Sequence, residues 1–122
     1  MIPDDTTPEI DFDHLNQYVR GDEALTAEIF GMFHHQVEMW GRALTVDADD
    51  DTWEAVTHSL KGSAKAVGAQ KLAILCERAE ELVGAGNRSG AREVAVQNIE
   101  HKIYQVSAEI QRWEYRRKIK GA

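Results

Sequence analysis

His58 is preceded at four residues by Glu54 and followed at three, four and seven residues by Lys61, Gly62 and Lys65, in a stretch that reads AVTHSLKGSAKAVGAQKL from residue 55 to residue 72. At about 100° per residue, and with His58 as zero, Glu54 falls at about −40°, Lys61 at about −60°, Gly62 at about 40° and Lys65 at about −20°, so the five share one strip of a helix. Val56, Leu60 and Ala64 form the apolar stripe of the same helix, and His58 lies about 200° from Val56, facing out. An imidazole is a nucleophile in its neutral form, and a reference pKa near ~6.5 leaves that form well populated at neutral pH. Two lysines one and two turns away would attract a doubly charged group on the ring by Coulomb attraction and hydrogen bonding. A mid-helix glycine costs roughly 0.5–1 kcal/mol relative to alanine, and Gly62 has a local reason if its missing side chain clears access to His58. The chemistry open to this set is to carry a phosphoryl group. A solvent-facing histidine among lysines is also ordinary on a helical surface, and spacing alone does not separate the two.

The elements that must position this strip are helical. The prolines are Pro3 and Pro8, so ring chemistry bars no later residue from a helix. Residues 1–10 read as a flexible tail. Asp11 or Asp13 can cap a short helix through HLNQYV that ends at Gly21. Asp22 caps a longer one, to about Thr45, with Leu25, Ile29, Met32, Phe33, Trp40 and Leu44 as its inward stripe. After the acidic link DADDD, Asp51 and Glu54 form a capping-box variant at the start of the helix that carries His58. That helix buries Trp53, Val56, Leu60, Ala64 and Val67 and stops near Gly68. A fourth runs from about Ala69 to Val83, with Leu72, Leu75, Cys76, Ala79, Leu82 and Val83 inward, and GAGNRSG breaks it. The last spans about Ala91 to Lys118, with Val96, Ile99, Ile103, Val106, Ile110 and Trp113 at three- and four-residue steps. Short connections favour antiparallel neighbours, so the expected fold is all-α: one up-down-up-down four-helix bundle over residues 11–118 behind a short extra helix, with residues 119–122 frayed.

Composition removes several function classes. A formal charge of −7 on 122 residues argues against a nucleic-acid module, which needs a clustered positive surface. The single cysteine, Cys76, allows neither a disulfide framework nor a cysteine zinc site within the chain. No apolar run approaches the roughly 20 residues of a membrane span, and MIPDDTTPEI lacks the basic and apolar regions of a signal peptide, so a cytoplasmic location is expected. Residues 112–122 carry five basic side chains and one acidic, leaving −11 on the other 111 residues. This end reads first as cations placed favourably at a helix C-terminus, and otherwise as an attractor of a membrane or anionic partner.

The segment HSLKGSAKAVGAQKLAILCERAE resembles the signature of histidine-containing phosphotransfer (HPt) domains. That pattern is His-x-x-Lys-Gly-small-small, then glycine, an aliphatic, a small residue or cysteine, and an acidic or amide residue at set distances. His58, Lys61, Gly62, Ser63, Ala64, Gly68, Leu72, Cys76 and Glu80 hold those places. The resemblance implies that His58 is phosphorylated on its outer ring nitrogen, that Lys61 interacts with the phosphoryl oxygens, and that Glu80 orients the ring through the inner nitrogen. Lys65 would be an auxiliary cation, although it stands where many members have a smaller polar residue; Ala79 departs similarly from a larger aliphatic. Ala55, Ser59, Gly62 and Ala66, with their short side chains, are the candidate partner contacts. The implied reaction is reversible phosphoryl exchange between His58 and an aspartate of a response-regulator receiver domain, with a hybrid histidine kinase upstream. The receiver would bring the aspartate and Mg²⁺, and this chain would bind no cofactor.

No Walker-type phosphate loop or acidic Mg²⁺ set accompanies His58, so no autonomous ATP-dependent kinase activity is expected. Sensor-kinase helices place an acidic residue directly after their histidine and a proline shortly beyond; Ser59 and KGSAKA stand there instead. His14, His34, His35 and His101 form no Glu-x-x-His pair of the di-iron bundle type and are expected at the surface or its edge. The alternative to a relay is a four-helix-bundle adaptor that binds signalling partners without being phosphorylated, for which His58, Lys61 and Gly62 together would be unnecessary. A monomer is expected, since no uncommitted heptad seam is left outside the bundle.

Overall fold

The computed structural model describes residues 3, 4 and 6–121. Five α-helices follow one another: α1 (Phe12–Val19), α2 (Glu23–Ala43), α3 (Asp50–Ala66), α4 (Gln70–Glu80) and α5 (Ala91–Lys120), with a 3₁₀ turn at Gly84–Gly86. Among the described residues there is no strand. Helix α3 packs on α2 and α4, α5 packs on α4 and α2, and α1 leans on α2, which closes α2–α5 into an antiparallel up-down-up-down four-helix bundle with one short helix in front. Trp53, Phe30, Phe33, Leu60, Leu72, Ile99 and Val106 fill its interior. Phe30 makes edge-to-face contacts with Trp113 of α5, at 5.2 Å between ring centroids, and with Phe12 of α1, at 6.3 Å.

Several boundaries depart from the sequence reading, each for a local reason. Asp11, not Asp13, caps α1, accepting from His14 N at 3.0 Å. Asp49, not Asp51, caps α3, accepting from Thr52 N at 2.7 Å, and so the expected capping box does not form. Asp50 is thereby free to accept from Gly84 N at 2.9 Å and Arg92 Nη2 at 2.8 Å. Helix α4 ends at Glu80 rather than Val83, and a 3₁₀ turn follows. The stripe expected on α2 is rotated: Leu25 and Met32 are exposed, while Thr26, Phe30, Phe33 and Val37 are buried. Apolar residues occupy two adjoining faces of α2, and periodicity does not say which face the bundle covers.

The ends also differ. Ile10 is fully buried, and Glu9 reaches Lys102 at 3.0 Å and Lys71 at 3.5 Å, so the part of the expected tail next to α1 is clamped between α4 and α5. Residues 1, 2 and 5 of that tail lie outside the described residues, as does residue 122 of the end expected to fray. Helix α5 continues through Lys120. Its basic end is partly engaged within the chain: Arg112 and Arg116 pair with Glu109, and Arg117 stacks over Trp113.

Gly68 ends α3 as expected, with a positive φ of 76°. Asp11 N donates to Gly68 O at 2.9 Å, and a Cβ at residue 68 would stand 2.8 Å from Asp11 O. Gly68→Ala combines left-handed strain with a backbone clash, and should lower unfolding stability by about 2 kcal/mol. Urea denaturation of the variant checks this, and a midpoint equal to that of the parent would show that α1 yields freely.

Candidate phosphotransfer site

Helix α3 turns Trp53, Val56, Thr57, Leu60, Ser63 and Ala64 inward, which leaves His58 pointing out with its side chain 72 % exposed. Helix α4 runs alongside and ends at Glu80. Its end is pinned by Trp53, whose buried indole Nε1 donates to Ala79 O at 2.7 Å, one residue before Glu80. The same indole ring is covered by the Arg92 guanidinium, 4.5 Å from its centroid. Arg92 is buried and donates to Leu82 O at 3.0 Å, Ala48 O at 2.7 Å and Val46 O at 3.3 Å, besides Asp50. One side chain thus ties the α2–α3 loop, the start of α3, the segment just after α4 and the start of α5 around the residues that support the site.

Glu80 Oε1 is buried and lies 2.9 Å from Lys61 Nζ and 3.5 Å from His58 Nδ1. One carboxylate oxygen therefore faces both groups. At 3.5 Å the imidazole is oriented without a made hydrogen bond, and contacts of this kind tighten when charge arrives on the ring. An Nδ1 turned toward a carboxylate favours the tautomer with its proton there, which leaves the Nε2 lone pair facing solvent. Lys61 differs from the outward cation read from the helical wheel. Its side chain is 15 % exposed, and donation to the Glu80 carboxylate, with Coulomb attraction from Glu80 and Glu77, holds its ammonium above the usual lysine range. Its flexible stem and three donors allow it to keep Glu80 while meeting a new anion on His58.

Of the other expected residues, Lys65 is exposed and does not join Glu80, standing about 10 Å further along the α3 axis than His58. A Cβ placed on Gly62 would meet nothing within 4 Å, so packing inside this chain does not require a glycine there. Gly62 and Ala66 line an open groove of about 830 Å³ that begins one helical turn beyond His58, which does not itself line it, and that is bordered by Tyr18 of α1, Ile29 and Met32 of α2 and Ile74 of α4. Ala55 and Ser59 do not line it; Ala55 is exposed and Ser59 half-buried. Gln36 sits at the groove's edge and accepts from Ser63 Oγ at 2.7 Å. Cys76 is buried behind the site, and desolvation pushes its thiol up to about 12. Among the described residues no cluster of three or more His, Cys, Asp or Glu could hold a metal ion, and no helix is long and apolar enough to cross a membrane.

The sequence reading did not find the Lys61–Glu80 pair, the Trp53 tie or the Arg92 staple. Arg92 left one signal: a cation in the first turn of a helix, where the macrodipole disfavours it, must be held by something else.

The family model for the Hpt domain matches residues 24–115. The chain belongs to the Hpt domain family. The Hpt domain's fold superposes on a solved structure, the histidine phosphotransferase ShpA from Caulobacter crescentus, with a TM-score of 0.73 and 25 % identity over 93 % of this chain and 97 % of that one. A comparison with curated proteins gives no significant match. Within the Hpt domain matched by the family model lie His58, Lys61, Gly62 and Glu80, while the whole of the short helix α1 lies ahead of it.

Proposed function

We propose that this protein relays a phosphoryl group between aspartates of receiver domains through His58 Nε2. The observation that carries this reading is the arrangement of one buried carboxylate oxygen against both His58 Nδ1 and Lys61 Nζ, which aims Nε2 outward beside a cation. In the accepting direction, the Nε2 lone pair attacks phosphorus of an aspartyl phosphate. The P–O bond to the aspartate breaks and the carboxylate leaves with its electron pair. The imidazole then carries the phosphoryl group with Nδ1–H directed to Glu80, and the reverse step restores the starting state. Such transfers run on positioning and charge neutralisation. The partner receiver supplies the aspartate and Mg²⁺, and a hybrid histidine kinase is the upstream source. Nothing in this reading asks the chain to bind ATP.

The groove beyond His58 supports docking of a receiver. Gly62 and Ala66 keep its floor low, and exposed Tyr18 and Met32 give it apolar contact area. Gly62 supports the same reading, because a helix-weakening glycine that the chain's own packing does not need makes sense where another surface must come close.

The test incubates the purified chain with receiver domains phosphorylated on aspartate, in Mg²⁺, and follows acid-labile, base-stable phosphate onto it. Transfer from at least one receiver supports the relay; a chain that binds receivers but takes no phosphate would be an adaptor. Lys61→Ala should slow transfer about 10²-fold, the scale of losing one charge-stabilising donor, while the helical circular-dichroism signal stays unchanged. Unchanged kinetics would remove Lys61 from the reaction.

A further inference from the structure

The groove beyond His58 is mainly apolar, yet Lys65 of α3 and Glu77 of α4 bring opposite charges to it. Both side chains are exposed, and neither has an ion-pair or hydrogen-bond partner among the described residues. Of the other charged groups near the reacting ring, Glu80 and Lys61 are committed to each other, and Glu54, one turn before His58, does not line the groove. Glu77 lies one helical turn before Glu80 and lines the groove together with Gly62, Ser63 and Lys65 of α3, which places it on the side of α4 that faces α3. Lys65 is likewise one turn beyond Lys61 on α3.

Apolar contact with Tyr18, Met32 and the small floor residues would hold many helical surfaces with similar affinity. Charges at the margin of such a contact reject wrong partners, because like charges brought together without water cost far more than opposite charges gain. Neither Lys65 nor Glu77 pairs with Lys61 or Glu80, and both are free to be read by whatever enters the groove.

We propose that Lys65 and Glu77 are specificity determinants that select among receiver domains, the favoured receiver presenting an acidic side chain to Lys65 and a basic one to Glu77. This rests on the relay reading of His58. Lys65 acts on the docking equilibrium and not on the phosphoryl group, which distinguishes it from Lys61.

The test takes the phosphorylated receiver domain that labels the intact chain fastest and measures the transfer rate against receiver concentration at low and high salt. Lys65→Glu should raise the half-saturating concentration about tenfold at low salt, with the rate at saturation unchanged. The effect should shrink at high salt as the charges are screened. Lys65→Glu with Glu77→Lys in one chain should recover transfer when the facing receiver charges are reversed, and circular dichroism confirms that each variant is folded. An unchanged half-saturating concentration overturns the proposal. So does a lower rate at saturation without a change in half-saturation, which would assign Lys65 to the phosphoryl group. If no receiver labels even the parent chain, the relay reading falls and the selectivity proposal with it; if the parent is labelled and both variants match it, the selectivity proposal alone falls.

Discussion

His58→Gln should abolish phosphoryl acceptance and leave the fold intact. The imidazole is mostly exposed, and its one neighbouring polar atom, Glu80 Oε1, keeps Lys61 as a partner at 2.9 Å when the ring is gone. No buried group is left unpaired and no cavity opens, so the stability change should stay within about 0.5 kcal/mol, the range of ordinary surface substitutions. Glutamine places its terminal amide near the position of Nε2 but supplies no lone pair able to attack phosphorus, so label on the chain should fall to background. Parallel measurement of melting temperature and phosphate incorporation checks both halves. A large loss of stability would mean that His58 supports the core, and residual label would mean that another residue is phosphorylated.

Arg92→Met is expected to have the largest effect on stability. Methionine replaces much of the buried volume but none of the donors, and the carbonyls of Leu82, Ala48 and Val46 lose their partner together with the Asp50 carboxylate. Asp50 is half exposed and water can serve it; the cost comes mainly from the partly buried carbonyls and from the lost cation over Trp53. Together these should lower unfolding stability by about 3 kcal/mol, with a fall of about 10 °C in melting temperature. Arg92→Lys should recover only part, because an ammonium cannot serve carbonyls on three sides with the reach of a planar guanidinium. A melting temperature equal to that of the parent would contradict the staple. Since Trp53 both lies under Arg92 and holds Ala79 O, transfer through His58 should also slow in folded Arg92→Met.

The fold was legible because its signals are local. Asp22 before an apolar run, Gly68 after one, and the three- and four-residue spacing of Val56, Leu60, Ala64, Ile99, Val106 and Ile110 each act within a turn or two of chain. His58, facing out on the side of α3 away from Val56 and Leu60, followed from the same spacing. What was not legible depends on pairs far apart in sequence. Helix α2 offered two apolar faces, and only the arrival of Trp113 against Phe30 selects the buried one. Lys61 looked outward on its own helix because the carboxylate that draws it aside comes from the end of another. Glu9 and Ile10 looked like tail, and the lysines that hold Glu9 come from α4 and α5. Asp51 was read as the cap of α3 because Glu54 stands three residues after it, and the partners that hold Asp50, Gly84 and Arg92, come from far along the chain.

The most direct test of the account is to phosphorylate the chain from a receiver domain and locate the phosphate by NMR of the histidine ring nitrogens. With Nδ1 facing Glu80, the account predicts phosphorus on Nε2 of His58 and on no other histidine. Phosphate on Nδ1 of His58, or on His14, His34, His35 or His101, would contradict it.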